Sequence, residues 1–187
     1  ILPFREIVAL VDSKQIETAR PLADGQVQPA SLDLRLGPRA YRVRASFLPG
    51  AGFRVRDKLD HLGLHEIDLS GGAVLETGCV YIVPLLESLT LPDDVAAAAN
   101  PKSSTGRLDV FTRVITDRAR EFDKVAPGYH GPLYAEISPR TFPILVREGS
   151  LLSLIRFRRG SPGCTDQALV AVHERVTLVT GGAPNFA

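Results

Sequence analysis

Short apolar runs with a period of two, each closed by glycine or proline, recur along most of this chain, and a sequence so divided can hardly fold as anything but sheet. Ser31 to Leu36 is the clearest run. Leu32, Leu34 and Leu36 fall on one face and Ser31, Asp33 and Arg35 on the other, a strand with one wet or functional face, ended by Gly37-Pro38. Residues 40–47, with Tyr41 and Val43 in alternation, read as its hairpin partner. Residues 74–83 read as strand, turn at Thr77-Gly78, strand. Further strands are predicted at 108–115, 133–137, 144–146 and 151–157, and Gly149 reads, like Gly78, as a turn glycine. Many short strands with few helices predict an all-β fold, a distorted barrel or double-sheet jelly roll.

Between the strands the pattern changes. Phe4, Ile7, Val8 and Val11 recur at helical spacing after Pro3, predicting a helix over 3–17 on the outside of the sheets. Residues 18–30 are turn-rich and 48–73 read as loop. Residues 89–94 read as a turn, Ala96 to Ala99 as a small-residue run that lets elements pack closely, and 117–124 as a charged, exposed segment. A second helix is predicted over 165–176, followed by linker at 180–187. The organisation expected is one β domain over 1–160, then a C-terminal helix and linker over 161–187; both ends read as cut, with further chain expected beyond.

A net charge of +1 provides no global field for nucleic acid, so any anion site must be local. No apolar run reaches membrane-spanning length, and no signal peptide is visible. Two distant cysteines, Cys79 and Cys164, form no disulfide framework and suit a reducing compartment, hence a cytoplasmic location.

The chemistry is concentrated between Asn100 and Glu136. Lys102-Ser103-Ser104-Thr105-Gly106-Arg107 places two cations and the two serine hydroxyls around a loosened backbone, the donors a polyphosphate needs. Read without function, the same residues make a polar turn before a strand. Pro127-Gly128-Tyr129-His130-Gly131 is a turn whose aromatic either shapes a pocket or covers the core edge. Glu136 is a carboxylate inside an apolar strand, costly to bury unless it is functional or paired with a neighbouring Arg.

Lys-Ser-Ser-x-x-Arg at 102–107, Pro-Gly-Tyr-x-Gly at 127–131 and a Glu in the following strand resemble the dCTP deaminase branch of the dUTPase-like superfamily. Gln28 to Gly37 is similar to the branch's N-terminal signature, and Pro143-Ile144 with Arg147 to Leu151 to its last turn; the resemblance spans roughly residues 1–160. It implies hydrolytic deamination of dCTP to dUTP and ammonia, with Glu136, Arg107 and Ser103 catalytic. Lys102, Ser103, Ser104, Arg107 and Tyr129 would hold the nucleotide, and Mg2+ would be carried on its phosphates. Family members are trimers with sites between subunits, so self-association, or a second lobe in the same chain, is expected. Zinc chemistry is not expected: His61, His65, His130 and His173 lack metal-ligand spacing, and no His-x-Glu with Pro-Cys-x-x-Cys occurs.

The chain departs from the family at several positions. Lys102 replaces the usual Arg, keeping charge but losing the bidentate fork. Ala126 stands where an Asp is usual, and Arg113 and Ile115 where the deaminases have His and Thr. The family closes a Tyr-, Lys- and Gln-bearing tail over the phosphates; residues 160–187 hold Gln167 but no Tyr or Lys. Asp33 and Arg35 are read as supports for loops or neighbouring subunits. Two rival readings stay open: a dUTP diphosphatase, which Ala126 disfavours by removing its base, and a non-catalytic nucleotide-binding or scaffold lobe of a tandem deaminase.

Overall fold

In a computed structural model, residues 1–160 and 163–180 are described. The elements in chain order are α1 (Phe4–Asp12), β1 (Ile16–Thr18), β2 (Val27–Gln28), β3 (Ser31–Arg35), β4 (Arg39–Val43), α2 (Val55–Leu62), β5 (Gly63–Asp68), β6 (Ala73–Leu75) and β7 (Val80–Thr90). They continue with β8 (Val95–Pro101), α3 (Ser103–Arg107), β9 (Val110–Thr116), β10 (Lys124–Val125), β11 (His130–Pro139), β12 (Ile144–Val146), β13 (Leu151–Arg159) and α4 (Asp166–Arg175). One sheet runs β5-β4-β7-β11-β9, with β1 also on β7; the other runs β10-β8-β13-β3-β2; β12 and β6 pair separately. Among the described residues the ladders are antiparallel. The expected all-β, double-sheet fold is what the chain adopts. No helix among the described residues is long and apolar enough to cross a membrane.

The main core lies between the two sheets. Leu32 and Leu34 of β3, Ile155 and Phe157 of β13, and Ala97 and Ala99 of β8 meet Leu89 of β7, Val114 of β9 and Leu133 of β11. α1 closes one edge with Ile7 and Leu10. Of the alanine run on β8, Ala97 and Ala99 face this core, Ala96 is buried outside it and Ala98 is exposed. A second cluster, Tyr81, Val83, Ala135 and Ile137 with Leu75 and Val146, extends the core under the β6–β12 pair.

A third cluster decides the environment of Glu136. It comprises Ile82, Tyr134, Ile115 and Val43 with Val55, Ala119, Phe47, Leu59 and Phe122, so the other face of the large sheet is covered by α2 and the loops at 47–55 and 117–122. The cover is stitched down by backbone: Val55 N–H donates to Asp117 Oδ1 (2.8 Å), Arg118 N–H to Phe53 O (3.0 Å) and Gly50 N–H to Ala119 O (3.0 Å). The central strand β11 is therefore buried on both faces from Leu133 to Pro139.

Several sequence expectations are corrected. The first helix ends at Asp12, not residue 17. Ser13 Oγ donates to Ala9 O (2.7 Å), Lys14 turns left-handed at φ 58°, and the β-branched Ile16 starts β1 opposite Leu89. The 48–73 loop contains α2 and β5. Asp57 accepts from Arg54 N–H (2.8 Å) to start the helix, and β5 finds hydrogen bonds only by pairing with the edge of β4. The strand at 31–35 and that at 39–43 are not a hairpin: β3 pairs with β13 and β2, β4 with β7 and β5. The chain changes sheet at Gly37, whose N–H donates to Pro84 O (2.8 Å) and whose missing Cβ would stand 2.6 Å from that oxygen. Ser31, Asp33 and Arg35 do not form a wet face; all are buried. β7 extends past residue 83 to Thr90, so the turn expected over 89–94 starts two residues late, and the 117–124 segment is only partly exposed, with Ala119 buried.

Candidate functional site

α3 is a single turn held to β13. Lys102 N–H (2.9 Å) and Thr105 Oγ1 (3.0 Å) both donate to Leu152 O. This leaves Ser103, Ser104 and Arg107 exposed, with Arg107 Nη2 3.5 Å from Ser103 Oγ. Asp109 turns left-handed (φ 54°) and fixes the corner into β9, its carbonyl accepting from Arg140 N–H (3.0 Å) and its carboxylate from Thr141 Oγ1 (2.6 Å).

Lys102 is committed to an ion pair with Asp33 of β3. Asp33 is 3% exposed, and its Oδ1 has no hydrogen-bond partner among the described residues. Lys102 and Ser103 line an open cavity of about 370 Å³ with Asp33, Gln28, Ser31 and Arg156, so the N-terminal signature and the phosphate-like motif meet there. Arg35 serves the fold: it donates to Glu87 Oε1 (2.8 Å), Pro21 O (2.7 Å) and Arg20 O (2.9 Å).

Glu136 lies elsewhere. It faces Arg113 across β11 and β9 and Ile82 across β11 and β7, and is 1% exposed. Its Oε1 accepts from Arg113 Nη2 (2.6 Å) and Nε (3.2 Å). Its Oε2, also buried, has no hydrogen-bond partner among the described residues. The Arg113 guanidinium also donates to Ser46 Oγ (2.8 Å) and lies 3.5 Å from the Phe122 ring centre and 4.7 Å from that of Phe111. Asp123 completes the surroundings: it adopts φ 62°, accepts from Val114 N–H (2.7 Å), and has its carboxyl pKa pushed up by burial, with Val114 N–H and Arg113 opposing and Glu136 reinforcing. Val110 stands opposite Pro139 and Arg113 opposite Glu136. The α3 end of the sheet is therefore about 10 Å along β11 from Glu136, at ~3.3 Å per residue.

Tyr129 folds back over its own turn, donating to Pro132 O (2.7 Å) and accepting from Asp117 N–H (3.1 Å). Burial first, then the nearby Asp117 and Tyr134, hold its phenol pKa far above the usual range against the pull of the Asp117 N–H. It packs on the main core and forms part of a larger cavity of about 930 Å³ with Ala126, Arg54, Arg118, Arg120 and Arg158. Ile115, fully buried opposite Tyr134, belongs to the covering cluster rather than to a cavity. Among the described residues no three His, Cys, Asp or Glu side chains gather to hold a metal ion.

The candidate residues therefore fall in three places: Lys102, Ser103, Ser104 and Arg107 at α3, Glu136 under the cover of the large sheet, and Tyr129 at the 127–131 turn. Sequence reading treated Arg113 only as a departure and passed over Phe111, Phe122 and Asp123. The available signal is alternation, which puts Arg113 and Glu136 on the strand faces opposite Val114 and Ala135 without telling which strands pair.

The family model for the 2'-deoxycytidine 5'-triphosphate deaminase (DCD) N-terminal domain matches residues 1–161. The chain is 32% identical over 164 residues to a "dCTP deaminase, dUMP-forming" of Beutenbergia cavernae, covering 87% of this chain and 81% of that protein. It is 31% identical over 136 residues to a "dCTP deaminase" of Haloarcula marismortui, covering 72% and 67%. The crystal structure of 2'-deoxycytidine 5'-triphosphate deaminase from Agrobacterium tumefaciens matches at 62% identity with a TM-score of 0.86; the match covers all of this chain and 55% of that one, so the chain spans little more than half the length of that relative. On the match over residues 1–161 and these identities, the chain belongs to the dCTP deaminase family.

Proposed function

We propose that this protein hydrolytically deaminates dCTP. Water adds to C4 of cytosine, a C–O bond forms, the C4–N bond breaks, and ammonia leaves; dUTP is the direct product. Glu136 takes the water's proton and delivers it to the departing nitrogen, the two roles one carboxylate fills in sequence. The observation carrying the assignment is the buried Glu136 Oε2, an acceptor with no partner among the described residues. Buried acceptors are almost always satisfied, so one left open inside a family domain marks a place for a proton donor from outside the chain.

Lys102, Ser103, Ser104 and Arg107 form the phosphate subsite in this reading. Ser103, Ser104 and Arg107 offer exposed donors to phosphate oxygens, Lys102 joins them by leaving its ion pair with Asp33, and Mg2+ rides on the nucleotide. Tyr129 shapes the nucleoside end through its ring, since its hydroxyl is used within the turn. By strand spacing the α3 end of the sheet lies about 10 Å from Glu136, within reach of one nucleoside triphosphate, and self-association, as a trimer or with a second lobe, would supply the walls that the open cavity beside Lys102 and Ser103 lacks. Residues 1–160 act as one domain, and α4, on which no residue is buried, stands apart from its core.

A second reading is favoured by one specific contact. Arg113 already engages Glu136, as it would in a lobe that binds nucleotide or scaffolds a partner without catalysing. Incubating the protein with dCTP and Mg2+ and resolving products tests both: dUTP supports deamination, dUMP supports the dUMP-forming chemistry of the Beutenbergia cavernae relative, and dCTP bound but unchanged supports the scaffold reading. Sedimentation at micromolar concentration tests the assembly; a strict monomer that still turns over dCTP removes the need for a shared site.

A further inference from the structure

The guanidinium of Arg113 is a planar N–C–N unit carrying positive charge and N–H donors. It holds a buried carboxylate through two of its nitrogens and lies 3.5 Å from one aromatic ring centre and 4.7 Å from another. The reacting edge of cytosine, protonated at N3, is also a planar N–C–N unit with N–H donors, and aromatic rings stack on such units in the same way. We propose that Arg113 is a built-in occupant of the Glu136 site, a side chain standing where the amidine edge of an aminopyrimidine would stand, so that Glu136 is closed to substrate until Arg113 swings out. The proposal rests on the reading of Glu136 as the group that meets the base.

Two further observations support this arrangement. Both Arg113 nitrogens converge on Oε1, and Oε2 is left buried without a partner. Arg–carboxylate pairs frequently make two parallel bonds, one to each oxygen, and this one does not. The present geometry leaves half the carboxylate unsatisfied, which a ligand presenting two donors side by side would complete. Arg113 also has somewhere to go. Its side chain is 24% exposed against 1% for Glu136, and its third anchor, Ser46 Oγ at 2.8 Å, sits on an exposed stretch after β4. Ser46 lies at the exposed limb of the site and the carboxylate at its buried floor.

The probe is methylguanidinium, which reproduces the occupant without the chain. Calorimetric titration into the parent, Arg113→Ala and Arg113→Gln, with thermal shift alongside, reads whether the vacated slot accepts it. A site open one-tenth of the time gains about ten-fold in affinity when its occupant is removed, so binding at least about ten-fold tighter in either variant than in the parent is expected. Arg113→Gln covers the case in which Arg113→Ala does not fold, because its amide still donates to Oε1. Equal affinity in parent and folded variants, or no binding in any, overturns the proposal. dCTP turnover is read on the same samples. A fall in turnover on losing Arg113 also overturns it, since the side chain would then belong to the machinery. Tighter methylguanidinium binding with dCTP bound but not turned over in any form upholds the occupant and favours the scaffold reading over catalysis by this chain alone.

Discussion

Replacing Glu87 with Leu should unfold this domain far more readily, although Glu87 lies in none of the candidate sites. Its side chain is fully buried and takes three N–H donors at 2.8 Å each: the Arg35 backbone, Arg35 Nε and Gln26 Nε2. Leu fills similar volume but accepts none of them, leaving a guanidinium only 7% exposed without its counter-charge. Breaking a buried pair from one side costs about 3–5 kcal/mol. At about 2–4 °C per kcal/mol for a chain of this size, Tm should fall by roughly 6–20 °C. Gln26 should loosen too, because its amide also donates to Asp33 O (2.8 Å) and its position over β3 depends on both bonds. The double variant Glu87→Leu with Arg35→Met removes the stranded charge and should recover at least half of the loss. Arg39→Ala, which deletes a surface pair with partners 55% and 42% exposed, is the control and should cost less than about 1 kcal/mol. Urea melts followed by circular dichroism read all four proteins. A loss under about 1 kcal/mol for Glu87→Leu, or a double variant no more stable than the single, would show that the buried network does not hold β3 to β7 as described.

Glu136→Gln should preserve shape and most dCTP affinity and reduce turnover by about 10²–10⁴-fold, read by ammonia release on whichever of the parent and Arg113→Ala turns over faster; unchanged turnover rules Glu136 out as the base. Arg107→Ala should weaken dCTP binding by about ten- to a hundred-fold, the equivalent of one charge-assisted bond of about 1.5–3 kcal/mol, and calorimetry showing parental affinity would move the phosphates elsewhere. Asp123→Asn should raise Tm at neutral pH. Burial raises the Asp123 carboxyl pKa in the folded state, so the folded protein is penalised above that pKa and relieved as pH falls through it. The amide still accepts from Val114 N–H and tolerates φ 62°, and the gain over the parent should shrink on acidification; a gain independent of pH contradicts this. Gly37→Ala should destabilise strongly, since the added methyl meets Pro84 O at 2.6 Å, and a Tm within a degree or so of the parent would mean that the sheet crossing can shift.

The strands, their turns and the family motifs could be read locally, because the two-residue pleat and the backbone demands of Gly and Pro act over a few residues. Thus β9, β11, β12 and β13 fall within a few residues of the runs that predicted them, and α4 begins just after Thr165, which caps it by accepting from Ala168 N–H (3.2 Å). α2 was missed because its eight residues carry one buried side chain, Val55, too little apolar periodicity to stand out. The supposed 31–47 hairpin failed for a different reason. Alternation says which face of a strand is apolar but not which strand lies beside it, and a close backbone approach at Gly37 sends the chain into the other sheet.

The same limit governed the site. Local pattern alone puts Glu136 in a strand and makes its burial require a partner or a purpose. It also places Lys102, Ser103, Ser104 and Arg107 together, since six consecutive residues cannot separate. Long-range packing makes Arg113 the partner of Glu136, lays Phe122 against the guanidinium and holds Lys102 on Asp33. Those contacts depend on the register of β11 against β9 and on β3 and α3 meeting beside β13. Register is set by packing across the whole core, and a slip of one residue would turn Glu136 to the opposite face.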